Sequence, residues 1–239
     1  MEFDKYADNY DTGFMGKGSG RFYADLIKEI EVKDGDAVLD VGCGTGTVLS
    51  FIGRQKKIRG FGLDVSENMI AIAKEKNPNY QFVSGDCASL PYADESMDVV
   101  MACMAYHHFP DQERFRNEAM RVLKPGGSLY ISDPRFPAPV RWIFNTFCKD
   151  AGFHTTKKNS DDFKQSGFKT IGITKDVYVQ VLHFKKCYYD VIVLHASLPA
   201  KSIYLKRGYH EVDYIKIGTG HGDYLCADVM EKKVEGDNE

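Results

Sequence analysis

The sequence predicts an α/β protein: a doubly wound, largely parallel seven-stranded sheet whose last strand is antiparallel, followed by a small α+β appendage. Three observations predict it. Short apolar runs alternate with stretches of helical spacing. The first run, Ala37 to Val41, is nearly continuous, as in a parallel strand covered on both faces. The chain then enters V-L-D-V-G-C-G-T-G (residues 38 to 46), with three glycines at every second position. Glycine is placed there when φ must be positive or when something approaches the main chain closely.

The elements follow in order. Thr47 to Lys56 reads as a helix and Ile58 to Asp64 as a second strand. Ser66 can cap the helix E-N-M-I-A-I-A-K-E-K, whose Met69, Ile70 and Ala73 share a face. Tyr80 to Ser84 is a third strand and Met97 to Cys103 a fourth. A helix over Gln112 to Leu123 has Asp111 as its cap and stops at Lys124-Pro125-Gly126-Gly127, before a fifth strand over Ser128 to Ser132. Arg141 to Asp150 and Ser160 to Gln165 are helical by spacing. Phe168 to Thr174 and Val177 to Phe184 form two strands across a T-K-D turn, which implies an antiparallel pair. A first domain over residues 1–186 results, with 187–239 as the appendage.

Composition narrows the function classes. The 239 residues are 43% hydrophobic and 27% charged, enough for one buried core plus an appendage. A net charge of -3 leaves no basic footprint for nucleic acid. The closest pair of the six cysteines, Cys87 and Cys103, is too far apart for a C-x-x-C metal or redox site, so free buried thiols and no metal are expected. Asp4, Asp8 and Asp11 near the start make a signal peptide unexpected, and the apolar run Val99 to Pro110 is too short to span a bilayer. A cytoplasmic protein without membrane attachment is expected.

Sorting residues by position brings the glycines, Asp64, Asp86 and the segment Cys103 to His108 to strand ends in one crevice, where ligands of doubly wound sheets bind. An acid at the end of the second strand can accept both hydroxyls of a ribose. A dinucleotide site requires G-x-G-x-x-G. Here the run is D-x-G-x-G-x-G, and Asp40 points into the space a pyrophosphate would take; it disfavours an anion and welcomes an ammonium or sulfonium.

That run, the acid of L-D-V-S, the G-D-C of residues 85 to 87 and R-V-L-K-P-G-G before a strand together resemble the class I S-adenosylmethionine-dependent methyltransferases. The similarity is to their ubiquinone/menaquinone-biosynthesis-like small-molecule group, with a Rossmann-like fold, over about residues 3 to 186. The resemblance implies S-adenosyl-L-methionine as cofactor and S-adenosyl-L-homocysteine as product. It implies that Gly42 and Gly44 line the methionine part, together with Asp40 and Cys43, and that Asp64 binds the ribose, with Val65 and Met69 nearby. Asp86 would bind the adenine amino group and Cys87 the ring, with Cys103 and Met104 flanking the sulfonium end. Tyr6 and Tyr10, in F-D-K-Y-A-D-N-Y-D, would close over the cofactor.

Methyl transfer from a sulfonium is an in-line displacement, so much of the catalysis is positional. If the acceptor must lose a proton, His107 or His108 is the candidate base, although adjacent histidines are also common structural residues. The fourth strand continues as A-C-M-A, without the [D/N/S]-P-P-[Y/F] of methyltransferases acting on adenine or amide nitrogens, so a small-molecule acceptor is expected. Phe136, Pro137, Trp142, Phe144 and Phe147 lie where that family shapes its acceptor pocket, or form plain core.

The appendage is read as a strand over Val191 to Leu194, a helix over Pro199 to Arg207, and strands over Glu211 to Ile217 and Tyr224 to Met230. It resembles the end of GNAT-family acyl-CoA N-acyltransferases through Ala196, Ala200, Tyr204, Gly208 and Tyr209, but lacks the [R/Q]-x-x-G-x-[G/A] pyrophosphate nest. A structural appendage, a pocket wall or a homo-oligomer contact is therefore expected of it. Two other functions stay open: a non-catalytic cofactor-binding protein and, against Asp40 and the glycine spacing, a nicotinamide oxidoreductase.

Overall fold

The computed structural model describes residues 14–148, 151–186, 191–197, 205–206, 210–218 and 224–233. The chain forms two compact units, Met1–Lys186 and Cys187–Glu239. The first contains α1 (Phe14–Glu29), β1 (Ala37–Val41), α2 (Thr47–Gly53), β2 (Arg59–Asp64), α3 (Glu67–Lys76) and β3 (Gln81–Ser84). It continues with β4 (Met97–Cys103), a 3-10 turn (Tyr106–His108), α4 (Gln112–Val122), β5 (Leu123–Pro134), α5 (Ala138–Phe147), α6 (Thr156–Gln165), β6 (Phe168–Lys175) and β7 (Val179–Lys186).

The seven strands form one sheet in the order β3-β2-β1-β4-β5-β7-β6. β1 is parallel to β2 and β4, β2 to β3, and β4 to β5. β7 is antiparallel to both its neighbours. The strand order reverses between β1 and β4, and a crevice opens there at the carboxyl ends of the strands. The period of two in each strand sends alternate residues into two core layers. One holds Leu39, Val41, Leu129, Ile131, Phe115 of α4 and Phe163 of α6. The other holds Val38, Tyr130, Leu49 of α2 and Leu26 of α1.

Most expected elements stand where the spacing put them, and the differences have local causes. Ser66 caps α3 by accepting from the Met69 N–H at 3.2 Å, and Met69, Ile70 and Ala73 are all buried. Helix α1 is a new element. Phe22, Leu26 and Ile30 have its spacing, but Gly16, Gly18 and Gly20 lower the local helix propensity, and packing against the sheet overrides it. Lys124-Pro125-Gly126-Gly127 ends α4 but belongs to the entry of β5, with a register shift against β4 and Gly126 at φ +73°. α6 starts earlier than expected because Thr155 caps it, accepting from the Lys158 N–H. β7 starts at Val179, since the Asp176 N–H donates to the Val179 carbonyl and tightens the turn.

In the second unit, β8 (Val191–Ser197), β9 (His210–Gly218) and β10 (Tyr224–Lys233) form an antiparallel sheet in the order β8-β10-β9. Ala196 lies in β8. Ala200, Tyr204, Gly208 and Tyr209, which carry the acyltransferase resemblance, lie outside the described residues, as do Tyr6 and Tyr10.

Candidate functional site

The glycine run is explained by its backbone. Gly42, Gly44 and Gly46 have φ of +76°, +50° and +74°, which an L side chain rarely adopts. At Gly42 space is excluded as well, because a Cβ would lie 2.4 Å from the Cβ of Ala105. The turn is tied to β2. The Gly42 and Cys43 N–H groups donate to the Leu63 carbonyl at 2.7 and 3.0 Å. The Asp64 carboxylate accepts from the Gly44 N–H at 2.8 Å and from the Ser66 N–H at 2.9 Å. Asp64 therefore holds the glycine turn and the start of α3 together.

Asp40, Gly42, Cys43, Gly44, Cys103 and Met104 line one cavity of about 30 Å³ at the end of β1 and β4, with Tyr23 of α1 and Thr47 of α2. That volume admits a water or an ammonium group. Asp40 is 1% exposed, and its Oδ1 has no hydrogen-bond partner among the described residues. An unmade bond of this kind costs about 1–3 kcal/mol, and more when the group is charged. Burial, and then the neighbouring Asp64 charge, push the Asp40 carboxyl up to about 8. The same burial, and then the Asp40 charge, push the Cys43 and Cys103 thiols well above their ordinary range, so neither is a nucleophile. Met104 takes φ +56°, a strained conformation for a side-chain-bearing residue, and its N–H donates to the Ser132 carbonyl at 2.8 Å.

Five expected contacts do not line this cavity: Asp64, which holds the turn behind it, and Val65, Met69, Asp86 and Cys87. Val65 is exposed and Met69 lies in the core. Asp86 forms a turn, accepting from the Ala88 N–H at 2.9 Å, and the buried Cys87 thiol is pushed up to about 12 by burial and then by Asp86.

Sequence reading missed Tyr23 and, more consequentially, Asp133. His107 is buried in the 3-10 turn, and its Nδ1 lies 2.9 Å from Asp133 Oδ1. Its backbone N–H donates to Asp133 Oδ2 at 3.0 Å. Phe153 stacks on the imidazole at 4.3 Å and is itself held by Asn145 of α5, which bonds its N–H and its carbonyl. His108 stands beside it, with ring centroids 4.0 Å apart. The one available signal for Asp133 was an acid in S-D-P at the carboxyl end of a strand. Among the described residues no cluster of histidine, cysteine and carboxylate side chains could hold a metal ion.

Residues 39–131 match the family model described as a methyltransferase domain. A demethylmenaquinone methyltransferase of Chlorobaculum parvum is 33% identical over 142 residues, covering 56% of this chain and 59% of that protein. The chain thus spans little more than half the length of that relative. The demethylmenaquinone methyltransferase of Lactobacillus johnsonii is 32% identical over 182 residues, covering 63% of this chain and 75% of that protein. The chain belongs to the S-adenosylmethionine-dependent methyltransferase family. The fold agrees: a chain of the complex between the Haloferax volcanii Trm112 methyltransferase activator and its methyltransferase superposes with a TM-score of 0.71, at 22% identity, over 78% of this chain and 98% of that one. S-adenosylmethionine is the cofactor of this family, and the site fits it, since the buried Asp40 oxygen, without a hydrogen-bond partner among the described residues, lines a cavity that admits an ammonium group. No helix among the described residues is long and apolar enough to cross a membrane.

Proposed function

We propose that the chain moves a methyl group from S-adenosylmethionine to a small-molecule acceptor by direct in-line displacement. The observation that carries this reading is Asp40, whose buried Oδ1 lacks a hydrogen-bond partner among the described residues beneath the glycine turn. S-adenosylmethionine, when bound, supplies a methyl group activated by its sulfonium charge. Asp40 takes the cationic amino-acid end, and the side-chain-free backbone of Gly42 and Gly44 admits it beside Cys43. Asp64 accepts the ribose hydroxyls while holding the turn that receives the cofactor. Asp86 and Cys87 serve the adenine, Val65 and Met69 border it, Cys103 and Met104 flank the sulfonium end, and Tyr6 and Tyr10 close over the site. With these contacts preorganised, alignment of the acceptor behind the methyl group and exclusion of water supply most of the rate.

Calorimetric titration with S-adenosylmethionine, S-adenosylhomocysteine, NADH and acetyl-CoA tests this. Binding of the first two alone is expected, with at least a tenfold loss in an Asp64→Ala variant. Binding of NADH instead, or an Asp64→Ala variant with unchanged affinity, overturns the assignment. We place assembly of copies on the C-terminal unit. Supporting this, β8 and β9 each keep one edge without a strand partner among the described residues. Sedimentation of a chain ending at Lys186 is expected to give fewer chains per particle than the full chain, with cofactor affinity retained; an unchanged number of chains per particle refutes the assembly role.

A further inference from the structure

The pair formed by His107 and Asp133 lies outside the cofactor contacts, and its geometry is that of a held base. An ionised carboxylate only accepts hydrogen bonds, so the 2.9 Å contact puts the imidazole proton on Nδ1 and leaves the lone pair of Nε2 available. Nε2 has no hydrogen bond among the described residues. Both Asp133 oxygens are occupied by His107, one by Nδ1–H and one by the backbone N–H. The Gly152 N–H donates to the His107 carbonyl at 2.7 Å, and Phe153 covers one imidazole face. The ring therefore has little freedom to turn.

The pair is close to the cofactor cavity. His107 stands three positions after Met104, which lines it, so their Cα atoms are at most roughly 11 Å apart. Asp133 follows Ser132, whose carbonyl accepts the Met104 N–H. A second polar group stands on the same face. Gln180 of β7 is paired in register with Asp133, is 1% exposed, and leaves Oε1 without a partner among the described residues. A buried acceptor in register with the carboxylate that holds the base marks a place where a polar ligand belongs.

We propose that His107 is the general base of the reaction, that Asp133 is its positioning residue, and that the acceptor is an aromatic hydroxyl. The proposal rests on the methyltransferase reading above. The acceptor hydroxyl gives its proton to His107 Nε2 while an oxygen lone pair forms the bond to the methyl carbon. The electron pair of the broken carbon–sulfur bond stays on sulfur, leaving a neutral thioether. An ammonium acceptor is disfavoured because the Nδ1–H and backbone N–H of His107 already compensate much of the Asp133 charge that would attract it. A phenol, with pKa about 10, yields its proton to an imidazole far more readily than an aliphatic hydroxyl, whose pKa lies near that of water at about 16. The rings of Phe153, Phe136 and Phe144, packed together at 4.9 to 5.8 Å, supply an aromatic wall beside the base.

The test uses the full chain with S-adenosylhomocysteine bound, read by long-range proton–nitrogen NMR of the imidazoles. His107 is expected as the Nδ1–H tautomer at pH 7.5, moving toward Nε2–H in an Asp133→Asn variant. Transfer of a labelled methyl group to catechol is expected to fall by roughly 10²–10⁴-fold in a His107→Gln variant, as for loss of a general base. The Asp133→Asn variant should lower kcat with KM unchanged, and Asp133→Glu should recover part of it. Both variants should keep their affinity for S-adenosylhomocysteine. A protonated or Nε2–H His107 in the wild-type complex overturns the proposal, as does transfer to phenethylamine that survives His107→Gln. Failure of the wild-type chain to bind S-adenosylhomocysteine would instead bring down the methyltransferase reading.

Discussion

Replacing Asp40 by asparagine separates what the fold tolerates from what the ligand needs. The side chains are nearly isosteric, so the change removes a charge and keeps the volume. In the ligand-free fold the Asp40 carboxyl is raised from 3.8 to about 8, first by burial and then by the Asp64 charge. The folded state therefore holds this proton while the unfolded chain has already released it. Below pH 3.8 the group contributes nothing; its penalty grows as the pH rises and is complete above about 8. A shift of this size corresponds to a ceiling on the order of 5 kcal/mol. For a chain of this length each kcal/mol moves the melting temperature by about 2–4 °C. The Asp40→Asn variant should thus melt close to wild type at pH 4 and on the order of 10 °C higher at pH 9. Its affinity for S-adenosylmethionine should fall at least tenfold at pH 8. The wild-type protein at pH 7 should release nearly one proton on binding, read by calorimetry in two buffers of different ionisation enthalpy. Equal melting of the two proteins at both pH values, or unchanged affinity, would refute the reasoning that Asp40 is a buried charge kept for a cationic ligand.

Two other outcomes are expected. Gly42→Ala places a Cβ at positive φ and 2.4 Å from Ala105, so it should destabilise the protein by at least about 1–2 kcal/mol, read as a lower denaturant midpoint. Among the described cysteines, iodoacetamide should modify the exposed Cys148 in the native protein, whereas Cys43, Cys87 and Cys103 should react only on unfolding; mass mapping of the labelled chain checks this.

Much of the first unit was legible because its signals are local. The apolar period of each parallel strand, the Ser66 cap and the D-x-G-x-G-x-G run each express a requirement within a few residues of chain. Glycine at positions 42, 44 and 46 is demanded by φ, and a backbone angle leaves its mark in the sequence at the residue that adopts it. Helix α1 was hidden because three glycines mask a pattern that only the sheet beneath it can stabilise. The longer β5 was hidden because a Pro-Gly-Gly run reads as a stop, whereas the register with β4 absorbs it as an irregular strand entry.

The sequence by itself determined the alternation that builds the sheet, the glycine turn after β1, and the acids at the strand ends that point to a cationic, ribose-bearing ligand. Only the tertiary structure decided what each acid pairs with, and brought in one acid, Asp133, that the sequence did not single out. Asp64 ties the glycine turn through a hydrogen bond across twenty residues, and Asp133 meets His107 across twenty-six. Gln180 comes beside Asp133 only through the antiparallel register of β7 on β5. The physical reason is that a hydrogen bond depends on distance and direction in space, and strand order and register set both for residues far apart along the chain.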